Sequence, residues 1–469
     1  MKREEGSDHG AVEAIRSIFY PQTVAVIGVS DSFQRVGYNL FESLLFGGFK
    51  GNIYPVHPRL KTVLGRKVYN SLSEIPEKVD LAIIGLNEKA TISALKECGK
   101  NGVRGAVCVA GGYREIGEEG EGLEKLLQEA ASCYGVSFIG PNTLGFINNE
   151  IDLNTTFYPL NLPKGSASFI SQSGGLGLTF LHQAADAGLG INKWIGAGNR
   201  SNFTFTNYLS FLGEDEGTSA IGLFLEGTED ASSMVHRASR INKPVVVYKI
   251  GRSDKVSSST LTHTGTMSGS YQVYRDIFSQ FGLYTVDTIM ELIASLKAFT
   301  VSALPGGAKI GIMTHTAGPS IVAADMLYSR GYSIPELTED TLKGLYKIAG
   351  ENPPIVFQNP LDVAGMGFEA GTFKDYLELF AGDPGVDLVL AIYCQHKNWR
   401  FPSPEIIQVK EKVKKPIIAC YPSPGTLLEK ERPLLECHGI PLFGTPEEAA
   451  WAASALVEHA ARLGGRSLT

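Results

Sequence analysis

His263 stands in a run of small and hydroxyl-bearing residues, Ser257-Ser258-Ser259-Thr260-Leu261-Thr262-His263-Thr264-Gly265-Thr266-Met267-Ser268-Gly269-Ser270, with few bulky anchors. A neutral imidazole can attack phosphorus, and the phosphohistidine it forms divides a difficult transfer into two easier steps. The composition of the run predicts a segment on which such a ring can move. A lone histidine is more often structural or solvated, and it is a neighbouring phosphate turn that tips this one toward chemistry. That turn is Ser171-Gln172-Ser173-Gly174-Gly175, between a predicted strand and a predicted helix. Small residues there let the first-turn amides face a phosphate or a carboxylate, and Ser171 and Ser173 add hydroxyls. A plain helix cap with close packing is the alternative. The turn is no nucleophile elbow, since Gly-x-Ser-x-Gly would need glycine at position 171.

Glu226 ends the apolar strand expected over Ile221–Leu225. A carboxylate at the carboxyl end of a parallel strand points into the ligand crevice. There it could hold one ring nitrogen of His263 and leave the other nucleophilic; a solvated strand-end acid is the other reading. A further turn, Gly28-Val29-Ser30-Asp31-Ser32, follows a buried strand and precedes a helix expected to start near Val36-Gly37, so its amides suit a pyrophosphate. The strict Gly-x-Gly-x-x-Gly spacing is missing. The second strand ends in Val56-His57-Pro58 rather than in an acid, which argues against a nicotinamide cofactor held by its ribose and for another nucleotide such as coenzyme A. An ordinary turn without ligand remains open. His182, His315, His396 and His438 lack comparable settings and read as packing or surface residues.

The elements that must position these residues form three α/β blocks in which apolar runs alternate with helix-like stretches, the pattern of parallel sheets. The first runs from Thr23 to the breaker-rich Gly140-Pro141-Asn142-Thr143-Leu144-Gly145, and a boundary is expected between about Asn148 and Pro163. The third follows a hinge at Leu304-Pro305-Gly306-Gly307 and opens like the second: a strand over Lys309–Met313, then Thr314-His315-Thr316-Ala317-Gly318. Lys243-Pro244-Val245-Val246-Val247 is echoed by Lys415-Pro416-Ile417-Ile418-Ala419. Two copies of one flavodoxin-like unit explain this, the second block a working copy and the third a scaffold. The expected domains are 11–150, 160–303 and 306–465.

The chain has 469 residues, 53 of them glycine and only 19% charged, which favours tight turns over long solvated helices and excludes disorder and coiled coil. A net charge of −7 with no basic cluster denser than Lys410–Lys415 makes nucleic acid a poor partner. No apolar run reaches the ~18 residues of a bilayer span and the polar start shows no secretion signal, so a cytoplasmic enzyme or binding protein is expected. Six scattered cysteines without Cys-x-x-Cys spacing read as reduced core thiols. With no carboxylate cluster spaced for magnesium, no metal is assigned.

Taken together, Val24-Ala25-Val26-Ile27-Gly28-Val29-Ser30, Tyr54-Pro55-Val56-His57-Pro58, Gly111-Gly112-Tyr113-Arg114-Glu115, Ile139-Gly140-Pro141-Asn142, Ser171-Gln172-Ser173-Gly174, Leu225-Glu226-Gly227, His263-Thr264-Gly265 and Asn359-Pro360-Leu361-Asp362 resemble one family. It is that of the alpha subunits of ADP-forming acetyl-CoA synthetases, the NDP-forming acyl-CoA synthetases related to succinyl-CoA synthetase. The likeness runs from about Phe19 to Leu463. It implies a Rossmann-like CoA-binding domain followed by two flavodoxin-like domains of the succinyl-CoA synthetase type. It also implies the reaction acyl-CoA plus phosphate plus ADP to acid, CoA and ATP, through acyl phosphate and phosphohistidine. By this resemblance His263 is phosphorylated and Glu226 orients it. Ser171, Ser173, Gly174 and Gly175 cradle phosphate, while Gly28, Ser30, Asp31, Val56, Gly111, Gly112 and Asn142 surround CoA.

The family's ATP-grasp domains, which hold ADP/ATP and Mg2+, are expected on a separate beta subunit, in an alpha2beta2 assembly. The substrate is expected to be a small acyl-CoA or carboxylic acid. The pattern departs from the family at Asn202, where an acid is usual, in a place where a subunit contact or substrate pocket is expected to change. A non-catalytic CoA-binding regulatory paralogue is the alternative, and intact His263 and Glu226 favour the enzyme.

Overall fold

A computed structural model describes residues 2–253, 271–350, 353, 355–395 and 397–464. The chain divides into two compact units, Met1–Asp287 and Thr288–Thr469.

The first unit opens with helix α1 (Lys2–Phe19). Its Val12, Ile15, Ile18 and Phe19, spaced by three or four residues, are buried, and Phe19 packs on Phe146 and Phe211 with ring centroids 4.2 and 5.0 Å apart. The charged start of the helix hides this stripe in the sequence. A parallel sheet follows, built from β1 (Thr23–Ile27), β2 (Asn52–Val56), β5 (Leu81–Ile84), β6 (Gly105–Cys108) and β7 (Ser137–Ile139), in the order β2-β1-β5-β6-β7. A small hairpin, β3 (Thr62–Val63) and β4 (Arg66–Lys67), lies beside it. Every residue of β1, β5 and β6 is buried, because helices cover both faces; this is why the strands read as unbroken apolar runs.

The second sheet has the order β14-β13-β12-β10-β11-β8-β9. Its parallel part is β10 (Lys164–Ser171), β11 (Ile191–Gly196), β12 (Ala220–Leu225), β13 (Val245–Lys249) and β14 (Tyr284–Val286). The stretch after Gly145 supplies this sheet's edge. There β8 (Phe146–Asn148) pairs antiparallel with β11, and β9 (Leu153–Asn154) with β8. Phe146 and Ile147 need cover on both sides, and the buried Asn148 amide donates to the Phe19 carbonyl at 2.8 Å.

The second unit holds a parallel sheet of β15 (Ile310–Thr314), β16 (Leu361–Asp362), β17 (Leu388–Ile392), β18 (Ile417–Cys420) and β19 (Leu442–Phe443), in the order β16-β15-β17-β18-β19. The helix Ile289–Val301 belongs to this compact unit: its Leu292, Ala294 and Ala298 are buried, and it packs on the helix Pro446–Leu463, whose Ala449, Ala450, Ala452 and Ala453 allow close approach. The compact division falls at Asp287. All six cysteines are free, but the core reading holds only for Cys98, Cys108 and Cys420; Cys394 is half-buried and Cys133 and Cys437 are exposed. Two helices of the first unit are α3 (Glu88–Lys100) and α4 (Glu118–Tyr134), and Cys133 lies on the outward face of α4, whose Leu127, Ala130 and Ala131 point inward.

On the helix Ile289–Val301, Lys297 is 2% exposed, bonded to the Leu442 carbonyl at 2.8 Å and paired with Glu436 at 2.6 Å. Burial pushes its amine down to about 8, against the pull of Glu436. A folded pKa below the unfolded one makes protonation a cost to folding. That cost is in full force below pH 8 and is relieved as pH rises toward the usual 10.5. The stability of the second unit is expected to rise from pH 8 to 10 relative to Lys297→Met, by roughly 3 kcal/mol at most. Denaturant melts of both proteins across that range check it.

Candidate active site

All three sheets place their first strand between the second and the third, so the strand order reverses beside it. Ligands of open α/β sheets bind outside the strand ends at such a reversal. In the first sheet it lies between β1 and β5, in the second between β10 and β12. Turns from both reversals line one cleft of about 1060 Å³ within the first unit.

On the first side, Gly28 follows β1 with φ +87°, and its N–H donates to the Val56 carbonyl at 3.0 Å. Helix α2 (Val36–Gly47) starts against this turn. A Cβ on Gly37 would lie 1.9 Å from the Gly28 carbonyl oxygen, so only glycine lets the helix sit there. The tight turn and the close helix approach of a dinucleotide fingerprint are thus both present, at a spacing the strict pattern misses. Its signal was the glycine in the helix's first turn. Gly28 and Ser30 line the cleft, as do Gly111 and Asn142. Asn142, at φ +54°, is fixed by its N–H to the Ala110 carbonyl at 2.7 Å.

Asp31, Val56 and Gly112 do not line it. Asp31 is exposed, Val56 is buried in β2 and contributes its carbonyl, and the Gly112 N–H donates to the Glu115 carboxylate at 2.6 Å. Burial raises the Glu115 pKa, but bonds from Asn199 and from the Tyr113 and Gly112 amides outweigh it and hold the group below the usual range.

On the second side, Ser173 caps helix α5 (Gly174–Asp186), its Oγ accepting from Leu176 N–H at 3.5 Å. Ser173, Gly174 and Gly175 line the cleft, and nothing lies within 4 Å of a Cβ built on Gly175. Ser171 is buried beneath, its Oγ donating to the Ser173 carbonyl at 2.6 Å, and so shapes the turn without lining it. Glu226 lines the cleft at 6% exposure. Gln172, given no role of its own from the sequence, fixes it: its Oε1 accepts from the Glu226 and Gly227 N–H groups at 2.9 and 3.2 Å. Lys249 donates to the Glu226 carbonyl at 2.8 Å, its amine pushed down to about 8 by burial. His263 lies outside the described residues.

A polar network that sequence reading also missed ties the two sides together. Asn199 donates through Nδ2 to Glu115 at 2.6 Å and to Glu124 at 3.0 Å, and Arg114 donates to its carbonyl. Arg114, Asn199 and Arg200 all line the cleft. Asn202 does not; its exposed side chain accepts from the Phe138 N–H at 2.8 Å, so the departure from the family pattern falls on a bond to β7.

The third sheet repeats the local geometry without the acid. Thr314 Oγ1 donates to the Thr316 carbonyl at 3.0 Å, as Ser171 does to Ser173. His315 takes the place of Gln172, its Nε2 accepting from Cys394 N–H at 3.1 Å. Where Glu226 ends β12, Tyr393 ends β17, buried with its hydroxyl on the Phe368 carbonyl at 2.7 Å.

Two family models match the chain: a CoA binding domain over residues 22–149 and a succinyl-CoA ligase like flavodoxin domain over residues 164–299. The alpha subunit of acetate–CoA ligase [ADP-forming] II of Pyrococcus furiosus is 36% identical, over 95% of this chain and 98% of that one. Acetate–CoA ligase [ADP-forming] I of Archaeoglobus fulgidus is 34% identical over 94% of this chain, which spans only 63% of that longer protein. The structure is similar to that of dinucleotide-forming acetyl-coenzyme A synthetase 1 of Ca. Korarchaeum cryptofilum in complex with phosphate and ADP, with a TM-score of 0.86 and 28% identity over 95% of this chain and 97% of that one. No described helix is long and apolar enough to cross a membrane. The chain belongs to the family of ADP-forming acyl-CoA synthetases, on the side of their alpha subunits.

Proposed function

We propose that this chain is the catalytic alpha subunit of an ADP-forming acyl-CoA synthetase acting on a small acyl group such as acetyl. The observation that carries the reading is one cleft joining a nucleotide-type turn at Gly28 and Ser30, a phosphate-type helix start at Ser173–Gly175 and the carboxylate of Glu226. The donors fit coenzyme A and phosphate. Two helix starts, those of α2 and α5, offer amides to anions, and Gly111 and Gly175 leave space that larger side chains would restrict.

In the forward direction a phosphate oxygen attacks the thioester carbonyl carbon, the C–S bond breaks and CoA leaves as thiolate. A nitrogen of His263 then attacks phosphorus, the bond to the acyl oxygen breaks and the carboxylate leaves. The phosphoryl group finally passes to ADP, giving ATP and free His263. Glu226 is the carboxylate that steadies the protonated ring nitrogen. ADP and Mg2+ belong to an ATP-grasp beta subunit, in an alpha2beta2 assembly. The "subunit alpha" naming of the Pyrococcus relative and the greater length of the Archaeoglobus protein support a partner.

The test is intact mass of the purified chain after incubation with acetyl-CoA and phosphate, without ADP. The expected result is a gain of one phosphoryl group, labile in acid and stable in alkali, on the peptide containing His263. Binding of CoA with no such gain under any condition, with or without a candidate partner, would favour the regulatory paralogue.

A further inference from the structure

Arg200 lines the cleft that also holds Glu226 and the start of α5, and the reading of the reaction gives it no task. It sits in the turn after β11, where Gly198 has φ +57° and Arg200 itself φ +58°. Left-handed backbone is unfavourable for an arginine and persists only where the surroundings impose it. Here the Asn199 N–H donates to the Pro141 carbonyl at 2.9 Å and the Ser201 N–H to the Gly140 carbonyl at 3.2 Å, which pins the turn to the first sheet.

The guanidinium lies over the Phe205 ring, 4.6 Å from its centroid. Among the described residues no carboxylate comes within ion-pair distance of it and none accepts a hydrogen bond from it. Arg114, by contrast, has Glu124 at 3.5 Å and Glu229 at 3.7 Å. Burial and the nearby charge of Arg114 push the Arg200 pKa down to about 10, and the more distant Glu229 and Glu226 offset this only in part. Arg200 stays charged at neutral pH, partly desolvated and short of countercharge. The aromatic face restrains the guanidinium, whose planar fork of N–H donors suits a tetrahedral oxyanion.

We infer that Arg200 binds the phosphoryl oxygens of inorganic phosphate, and of the acyl phosphate made from it, beside the amides of Gly174 and Gly175. This rests on the reaction proposed above and names the residue that recognises its phosphate. CoA carries phosphates of its own, so the two sources of one anion chemistry must be separated by experiment.

Arg200→Gln and Arg200→Lys, each as the full chain with its nucleotide-binding partner, separate them. Loss of a charge-assisted bond is expected to raise the KM for inorganic phosphate in Arg200→Gln by about 10- to 100-fold, with the KM for acetyl-CoA within about twofold. Arg200→Lys should recover part of this, because the charge remains while the fork is lost. Glutamine and lysine meet the same left-handed backbone as arginine, so the fold is not the variable. Calorimetric titration of inorganic phosphate onto the chain should show the same weakening. An equal rise in both KM values would assign Arg200 to CoA, and an unchanged phosphate KM would remove it from the site; either overturns the inference. If the wild-type chain cleaves no acyl-CoA with phosphate, the proposed reaction fails, while the calorimetry still decides whether Arg200 binds phosphate.

Discussion

A His263→Asn chain, assembled with its partner, is expected to keep phosphate-dependent cleavage of acetyl-CoA and to lose phosphorylation of ADP by at least about 10³-fold. The two half-reactions draw on different groups. Breaking the thioester needs phosphate held against the carbonyl, a role the proposed reaction assigns to the start of α5 and the surrounding cleft. Moving phosphorus onward needs a nucleophile that asparagine cannot supply. Glu226→Gln keeps the shape and the backbone bonds to Gln172, so it should bind phosphate normally yet slow the formation of phosphohistidine by about 10²-fold, as loss of a charged partner for an imidazolium does. Acetyl phosphate release and ATP formation, measured separately in one preparation, check both. Equal loss of the two half-reactions in His263→Asn would sink the division of labour.

Gly37→Val is expected to damage the fold of the first unit severely. Its Cβ would stand 1.9 Å from the Gly28 carbonyl oxygen and 2.9 Å from the carbonyl carbon. Both are backbone atoms of the turn after β1, so no side chain can swing aside. Helix α2 must move off the sheet, opening the contacts of Leu40, Phe41 and Leu44, all fully buried. A cost of at least about 3 kcal/mol follows. The displaced α2 also withdraws its first-turn amides from the cleft, so CoA binding should weaken together with stability. Gly10→Ala is the control: nothing lies within 4 Å of the new Cβ, and alanine in a helix should be neutral or stabilising by about 0.5–1 kcal/mol. Chemical denaturation of the three proteins, with CoA titration alongside, measures both effects. A Gly37→Val chain that melts and binds like the parent would show that α2 does not rest on Gly28.

Much of the cleft is legible in the sequence because its makers are local. A glycine at φ +87° after a buried strand, a serine capping the next helix and a carboxylate at a strand end are each dictated by residues within a turn's length, and Gly28, Ser173 and Glu226 stand out on that basis. Asp31, Val56 and Gly112 share the turns but do not line the cleft, because neighbours in sequence alternate in direction. Local reading also finds the repeat of the second block in the third, and the likeness extends to the matched bonds of Ser171 with Ser173 and Thr314 with Thr316.

By itself, then, the sequence determined the α/β alternation, the repeat, the strand-end turns and the chemistry they offer, since backbone dihedrals and capping are settled by adjacent residues. Only the tertiary structure decided which distant groups meet: Asn199 with Glu115 and Glu124, Gln172 with the amides of Glu226 and Gly227, and β8 with β11. It alone left Arg200 charged and without an ion-pair partner among the described residues. Charge balance and edge pairing depend on which surfaces come together when sheets pack, and residues far apart in the chain carry no local mark of that meeting.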